Sequence, residues 1–335
     1  MPANNLLLSS SPNAFTGVDS RKIMMAVVIA LLPTTVYGVV LYGVPALLVI
    51  LTSVASAVAA EAAFRALIKQ DVRVGDLSAV VTGLLVALIS PPSLPLWMAA
   101  LGSVAAIIFA KEFFGGLGAN PFNPALIGRA ILLMSFPAAM TTWHAPFGAL
   151  TDATTAATPL NVVKMGGSVA DVGMQIAGSS DYGTLLWTLF VGNRSGCIGE
   201  SSILLILVGF AFLLALRVVN WVTPLAMVGT TFVLSWLLGM DPVFGVLSGG
   251  VVFGAVFMAT DYASSPITPM GKLIFGAGAG AITAVIRRFG GFPEGVTYGI
   301  LLMNAVAPFL DKLRVKKYGY VPAPKPAKPA KEAGK

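Results

Sequence analysis

Cysteine and histidine each occur once in this sequence of 335 residues, as Cys197 and His144. A lone thiol cannot hold an iron–sulfur cluster, which takes about four thiolates, and a lone imidazole cannot supply the paired axial ligands of a membrane haem. If electrons pass through this chain, an organic cofactor must carry them. Charge is scarce as well: Asp, Glu, Lys and Arg make up 10% of the residues, against roughly 25% in a soluble domain. The net charge of +7 comes without a basic patch interleaved with aromatics, so nothing suggests nucleic acid; basic residues at helix ends meet anionic lipid headgroups instead.

What is abundant is apolar sequence, 56% of residues with a mean hydropathy of +0.86. In hydrocarbon only closed hydrogen-bonded elements satisfy the backbone, so the chain is expected to be an all-α, multi-pass membrane protein in contact with the lipid bilayer. Ten spans can be drawn: Ile23 to Tyr42, Val44 to Phe64, Leu77 to Ile89, Leu94 to Ala110, Pro124 to Met140, Ile203 to Val219, Val222 to Leu238, Phe244 to Thr260, Leu273 to Ile286 and Val296 to Leu310. They divide the chain into an N-terminal segment (1–22), a first five-helix repeat (23–140), an external loop (141–202), a second five-helix repeat (203–310) and a Pro/Ala/Lys-rich tail (311–335). The first span is expected to act as an uncleaved signal, and the tail as a solvated extension.

Seventeen of the 21 Lys and Arg fall on one side when the N-terminus is placed in the cytoplasm; only Lys164, Arg194, Arg287 and Arg288 fall outside. The positive-inside rule then puts both termini in the cytoplasm and the 141–202 loop on the outer face of the cell membrane.

The two halves echo one another. Thr82-Gly83-Leu84-Leu85-Val86, Ser90-Pro91-Pro92 and Lys111-Glu112-Phe113-Phe114-Gly115-Gly116 have counterparts in Ser248-Gly249-Gly250-Val251-Val252, Ser265-Pro266 and Arg287-Arg288-Phe289-Gly290-Gly291. Both Pro91 to Gly115 and Pro266 to Gly290 span 24 residues. Five helices per half make the second run inverted, a transporter architecture whose sites form where paired helices break. An alternative is that these prolines only end helices at the interface.

Among ionisable residues near the spans, Glu61, Glu112, Arg129, Asp241, Asp261 and Lys272 are candidates for a cation path or for ion pairs. A charge at the centre of a span costs roughly 2.5–3.5 kcal/mol on insertion scales. Most of these lie at span ends, where snorkelling makes them cheap, and Asp261, beside the broken eighth span, is the best single candidate for touching a cation. Gly192-Asn193-Arg194-Ser195-Gly196-Cys197-Ile198-Gly199-Glu200-Ser201-Ser202 opens the sixth span. There Gly196 and Glu200 either help to dock a phosphate or cap the helix, and Cys197 is expected to behave as a small apolar residue.

Two further motifs narrow the reading. Phe113-Phe114-Gly115-Gly116-Leu117-Gly118-Ala119-Asn120-Pro121-Phe122-Asn123-Pro124-Ala125 carries two Asn-Pro pairs on a glycine-rich turn, where the amides of Asn120 and Asn123 can satisfy a broken backbone. Its single Asn-Pro-Ala triplet matches that of water channels, which need two. In the polar loop stands Asp152-Ala153-Thr154-Thr155-Ala156-Ala157-Thr158-Pro159. Thr158-Pro159 makes a good helix start by itself, but a phosphoester also requires a hydroxyl on a small-residue loop.

These motifs, in this order, resemble the family of the D subunit of Rnf complexes and the B subunit of Na⁺-pumping NADH:quinone reductases. The loop string resembles the family's Asp-x-x-Ser/Thr-Gly-Ala-Thr signature, with Ala156 in place of glycine and Thr155 where serine is common. The resemblance implies FMN joined through its phosphate to Thr158, with Asp152, Thr155, Ala156 and Ala157 as the attachment motif and Thr154 and Thr155 as lesser acceptors. It implies a fold similar to urea transporters, with Asn120, Asn123, Gly196 and Glu200 as further cofactor-binding candidates. It implies assembly with the A, B, C, E and G proteins of an Rnf complex, maturation by a flavin transferase, and a second, non-covalent riboflavin as a possibility. The implied role is electron relay coupled to Na⁺ or H⁺ movement between NADH and ferredoxin. The competing readings are a redox-free channel or small-solute transporter, and a structural scaffold.

Overall fold

The computed structural model describes residues 19–147, 157–292 and 294–312, and no β-strand occurs among them. The N-terminal segment through Val18, the tail beyond Lys312 and the part of the attachment motif from Asp152 to Ala156 lie outside these residues.

The first hairpin is α1 (Ser20–Tyr42) and α2 (Val44–Leu67), joined by Gly43 alone at φ +69°. At 23 and 24 residues each is roughly 35 Å long, enough to cross a bilayer core. Next come α3 (Ser78–Leu88), α4 (Leu96–Ala110), extended by a tight turn at Glu112–Phe114, α5 (Pro124–Ser135) and the short α6 (Pro137–Met140). The later membrane helices are α10 (Ile203–Ala215) and α11 (Val222–Leu237), then α12 (Pro242–Leu247), α13 (Val251–Phe253), α14 (Pro269–Phe289) and α15 (Val296–Asp311). Among the described residues four helices, α1, α2, α4 with its extension and α14, are long and apolar enough to span a membrane, and α3, α5, α10, α11, α15 and the segment Tyr182–Val191 are shorter and apolar.

Three expected segments fold differently. The fifth span is not one helix to Met140: it ends at Ser135 and restarts as α6, because Pro137 has no N–H to continue the ladder. The eighth is not continuous from Phe244 to Thr260. It unwinds at Ser248–Gly250, with Gly249 at φ +66°, and resumes as α13, which runs into a π-helical turn at Gly254–Met258. The 141–202 interval is not a plain loop but contains α7 (Pro159–Lys164), α8 (Val169–Ala177) and α9 (Tyr182–Val191). Local signals explain these helices. Ser168 and Asp171 form a reciprocal capping box on α8, Asp181 caps α9 through the Thr184 N–H, and Gly178 and Gly192 end the two helices in left-handed conformations.

Packing relies on close backbone approach, as expected where lipid gives no hydrophobic drive between helices. A Cβ on Gly276 of α14 would lie 2.5 Å from the Thr223 carbonyl oxygen of α11, and one on Gly83 of α3 would lie 2.7 Å from that of Ser53 on α2. α3 is buried on nearly every side, as befits a helix apolar all round. The segment before α10 closes its end: the Ile198 and Gly199 N–H groups donate to the carbonyls of Ser90 and Leu88 at 3.2 and 2.7 Å.

Candidate functional site

Thr158 is the N-cap of α7: its hydroxyl oxygen accepts from the Asn161 N–H at 3.2 Å, Pro159 occupies the first helical position, and the residue is 5% exposed. Ala157 beside it is half-buried. One face of α7, through Leu160, Val163 and Lys164, lines a cavity of about 340 Å³ shared with α11, α12 and α14. Lys164 donates to the carbonyls of Arg287, Phe292 and Ile286 at 2.8, 3.3 and 3.4 Å at the end of α14. Partial burial draws its ammonium below the usual lysine range. Asp171 and Asp181, which cap α8 and α9, are held below the usual carboxyl range by hydrogen bonds from Ser168 and Thr184 respectively.

The broken eighth span is held by two buried arginines. Arg194 donates to the carbonyls of Leu247, Glu200 (2.6 Å) and Gly249 (3.5 Å); Arg287 donates to those of Gly245 and Ser248 (3.2 Å). Carbonyls freed by unwinding thus meet fixed positive charge rather than lipid. The Nε of Arg287 is buried and has no partner.

Next to this break lies a cluster that joins both halves. Arg129 of α5 donates to Glu294 at 2.7 Å and to the Cys197 sulfur at 3.2 Å, while Glu200 accepts the Cys197 N–H at 3.0 Å. The thiol therefore has a charged partner, which corrects its expected role as a merely apolar residue. A Cβ on Gly196 or Gly250 would come within 2.8 Å of a Glu200 carboxylate oxygen, so glycine at both positions makes room for that side chain. The sulfur and the two carboxylates lie within 4.8 Å of one another, a spacing that suits a cation, and Arg129 already supplies the positive charge.

Asn120 and Asn123 stand with Asp261. Asn120 donates to the Phe122 carbonyl at 3.1 Å and to Asp261 at 3.4 Å, and Ser264 also donates to Asp261, at 2.8 Å. Asn123 caps α5 through the N–H groups of Ala125 and Leu126, and its amide donates to the Met258 carbonyl at 3.2 Å. Its own N–H meets the side chain of Asn304 on α15 at 3.3 Å. These bonds knit the end of the π-helical turn to the glycine-rich turn around a cavity of about 90 Å³, whose lining includes Asp261, Asn120, Asn123, Ser78 and Lys111. None of these bonds runs to Thr158 or its helix.

Beyond Lys111 lies a four-charge network that takes in Glu61 and Glu112, two of the residues the sequence offered for a cation path or for ion pairs. Lys111 donates to Glu61 at 2.8 Å and to the Ser78 hydroxyl at 2.6 Å, and Arg65 grips Glu112 through two bonds at 3.0 and 3.2 Å. All four side chains are 7% exposed or less. Glu294 and Asn304 were not singled out from the sequence. Glu294 was legible only as a carboxylate next to a helix start, and Asn304 as an amide inside an apolar span.

Residues 7–319 match the NQR2, RnfD, RnfE family. The chain is 43% identical over 316 residues to the D subunit of the proton-translocating ferredoxin:NAD⁺ oxidoreductase complex of Clostridium ljungdahlii, covering 92% of this chain and 94% of that one. It is 42% identical over 330 residues to the D subunit of the Na⁺-translocating ferredoxin:NAD⁺ oxidoreductase complex of Acetobacterium woodii, covering 97% and 98%. The D subunit of the ion-translocating oxidoreductase complex of Stutzerimonas stutzeri is 41% identical over 92% of this chain and 95% of its own. With a match that runs through both halves and every motif described above, this multi-pass membrane chain belongs to the NQR2, RnfD, RnfE family.

Proposed function

We propose that this chain is the D-type membrane subunit of a redox-driven ion pump working between NADH and ferredoxin, and that FMN joined by a phosphoester to Thr158 relays electrons within it. The observation that carries the reading is the near full-length correspondence to the D subunits of two ferredoxin:NAD⁺ oxidoreductases, one translocating protons and the other Na⁺. FMN, when bound, supplies electron transfer that the single cysteine and single histidine cannot. The residues around Thr158 suit such a group: its helix lines a cavity of about 340 Å³, and Lys164, Arg287 and Arg288 line the same cavity. Lys164 and Arg287 would hold the group's negative charge, and Leu160, Val163 and Phe244 would exclude water from it.

The same reading extends to architecture. Ten spans in two inverted, urea-transporter-like repeats are supported by recurring packings, α2 on α4 and α4 on α5 in one half, α11 on α14 and α14 on α15 in the other. Lys111 and Arg287, counterparts in the repeat, are both buried and both donate inward. The charge distribution supports cytoplasmic termini, an outward-facing Thr158 and residence in the cell membrane. The A, B, C, E and G proteins of an Rnf complex would exchange electrons with this chain, a flavin transferase would mature it, and Asp261 would touch the translocated cation.

A denaturing gel of protein coexpressed with a flavin transferase, viewed under ultraviolet light, tests the assignment. The wild-type band fluoresces and the Thr158→Ala band is dark; a dark wild-type band from processed protein sinks the flavin reading.

A further inference from the structure

The cavity beside α7 is lined in part by Arg287 and Ser235, and the Nε of the one and the hydroxyl of the other are buried with no partner. Both residues are more than nine-tenths buried, at 6% and 1% exposure. The rest of the wall is divided in character. Leu160 and Phe244 are apolar, while Lys164 and Arg288 carry positive charge against the single carboxylate of Asp241, which is engaged by the Tyr182 hydroxyl at 2.9 Å and the Phe244 N–H at 2.9 Å. At about 340 Å³ the space lies within the range of small-molecule pockets, roughly 300–1,000 Å³. Leu160, in its wall, is two residues from Thr158 along the chain.

We propose that this cavity seats the isoalloxazine ring system of the flavin tethered at Thr158 and that Arg287 and Arg288 raise its reduction potential, an inference that rests on the Thr158 assignment. A half-apolar, half-cationic chamber suits a ring system with an apolar dimethylbenzene end and an acceptor-rich pyrimidine end. Reduction adds negative charge to that ring, and positive side chains beside it favour the reduced form. Arg287 has a second task in holding the broken span, so Arg288, exposed at the rim, is the residue on which the electrostatic part can be tested.

The test uses the full chain, coexpressed with a flavin transferase and purified in detergent, with Arg288→Gln and Ser235→Leu. Gly245→Ala serves as a milder filling variant, since its Cβ would approach the Ser235 hydroxyl at 3.2 Å. Band fluorescence on a denaturing gel reports attachment and is expected to match wild type in all three. Arg288→Gln is expected to shift the midpoint potential of the bound flavin downward. Ser235→Leu and Gly245→Ala are expected to raise the flavin fluorescence of the native protein towards that of the denatured protein. Retained gel fluorescence with unchanged potential and unchanged native fluorescence overturns the seat and leaves the Thr158 attachment standing. So does a phospholipid retained by wild type in native mass spectrometry and lost from the variants. A dark wild-type band overturns both.

Discussion

Removing the Lys111 ammonium tests the view that the charges near α2 and α4 form a closed buried network rather than a set of snorkelling side chains. Glu61 and Glu112 are balanced by Arg65 and Lys111, with side-chain exposures from 0 to 7%. In Lys111→Met the volume is nearly kept, but Glu61 loses its 2.8 Å partner and Ser78 the donor to its hydroxyl. Only Arg65, at 3.6 Å from the other carboxylate oxygen, remains near Glu61, and it is already committed to Glu112. Breaking a buried pair by deleting one partner costs about 3–5 kcal/mol, whereas replacing both partners is often close to neutral. At about 2 °C per kcal/mol for a large chain, Lys111→Met lowers the apparent Tm by about 6–10 °C. The double variant Glu61→Gln/Lys111→Met recovers most of the loss. Tryptophan-fluorescence melting in detergent at two ionic strengths reads both, and salt has little effect because the network is shielded from solvent. A single variant no less stable than the double one, or a wild-type Tm that falls steeply with salt, refutes the reasoning.

Three other outcomes follow from the same structure. Gly276→Ala drives a methyl against the Thr223 carbonyl and forces α14 from α11, whereas at Gly229, inside α11, nothing lies within 4 Å of the added methyl. Gly276→Ala is therefore destabilising by about 1–3 kcal/mol, and Gly229→Ala stabilising by roughly 0.5–1 kcal/mol, as read by thermal melts of the two side by side. The caps of α8 and α9 carry depressed carboxyl values, so their contribution is fully present above the ordinary carboxyl range and is lost as pH falls through the depressed values. Amide-exchange protection in the first turns of these helices is expected to hold down to that range and fall below it; protection that fell near neutral pH would contradict this. On the proposed flavin attachment Thr158→Ala darkens the flavin band, and it also removes the cap of α7. Thr158→Ser, which restores the cap, is therefore expected to leave α7 protected from exchange while Thr158→Ala does not.

The long elements were legible because they are set by local composition. α1 and α2 follow from unbroken apolar runs, and the start of α5 from Asn123-Pro124. A break in the eighth span was expected at its Asp261 end; the unwinding at Ser248–Gly250 was not legible, since Arg194 and Arg287, distant in sequence, take up the carbonyls there. α9 was hidden for the opposite reason: its signals, Asp181 and Gly192 around an apolar decapeptide, are local but sit in an interval that charge had marked as a loop. At Thr158 the helix start was legible from the Thr158-Pro159 pair, and the burial of the threonine was not. The pairing of Arg129 with Cys197 and Glu294 spans 68 and 165 positions, a distance over which spacing arguments have no reach.

The bonds from Ile198 and Gly199 to the end of α3 bear on how the protein is made. When α3 leaves the ribosome its terminal carbonyls, at Leu88 and Ser90, have no partners, because those partners lie beyond α9. The first half therefore enters the bilayer unfinished and stays so until the strap ahead of α10 has been synthesised and threaded back. The two halves echo each other in sequence, but they cannot mature as separate modules; the second half completes the first.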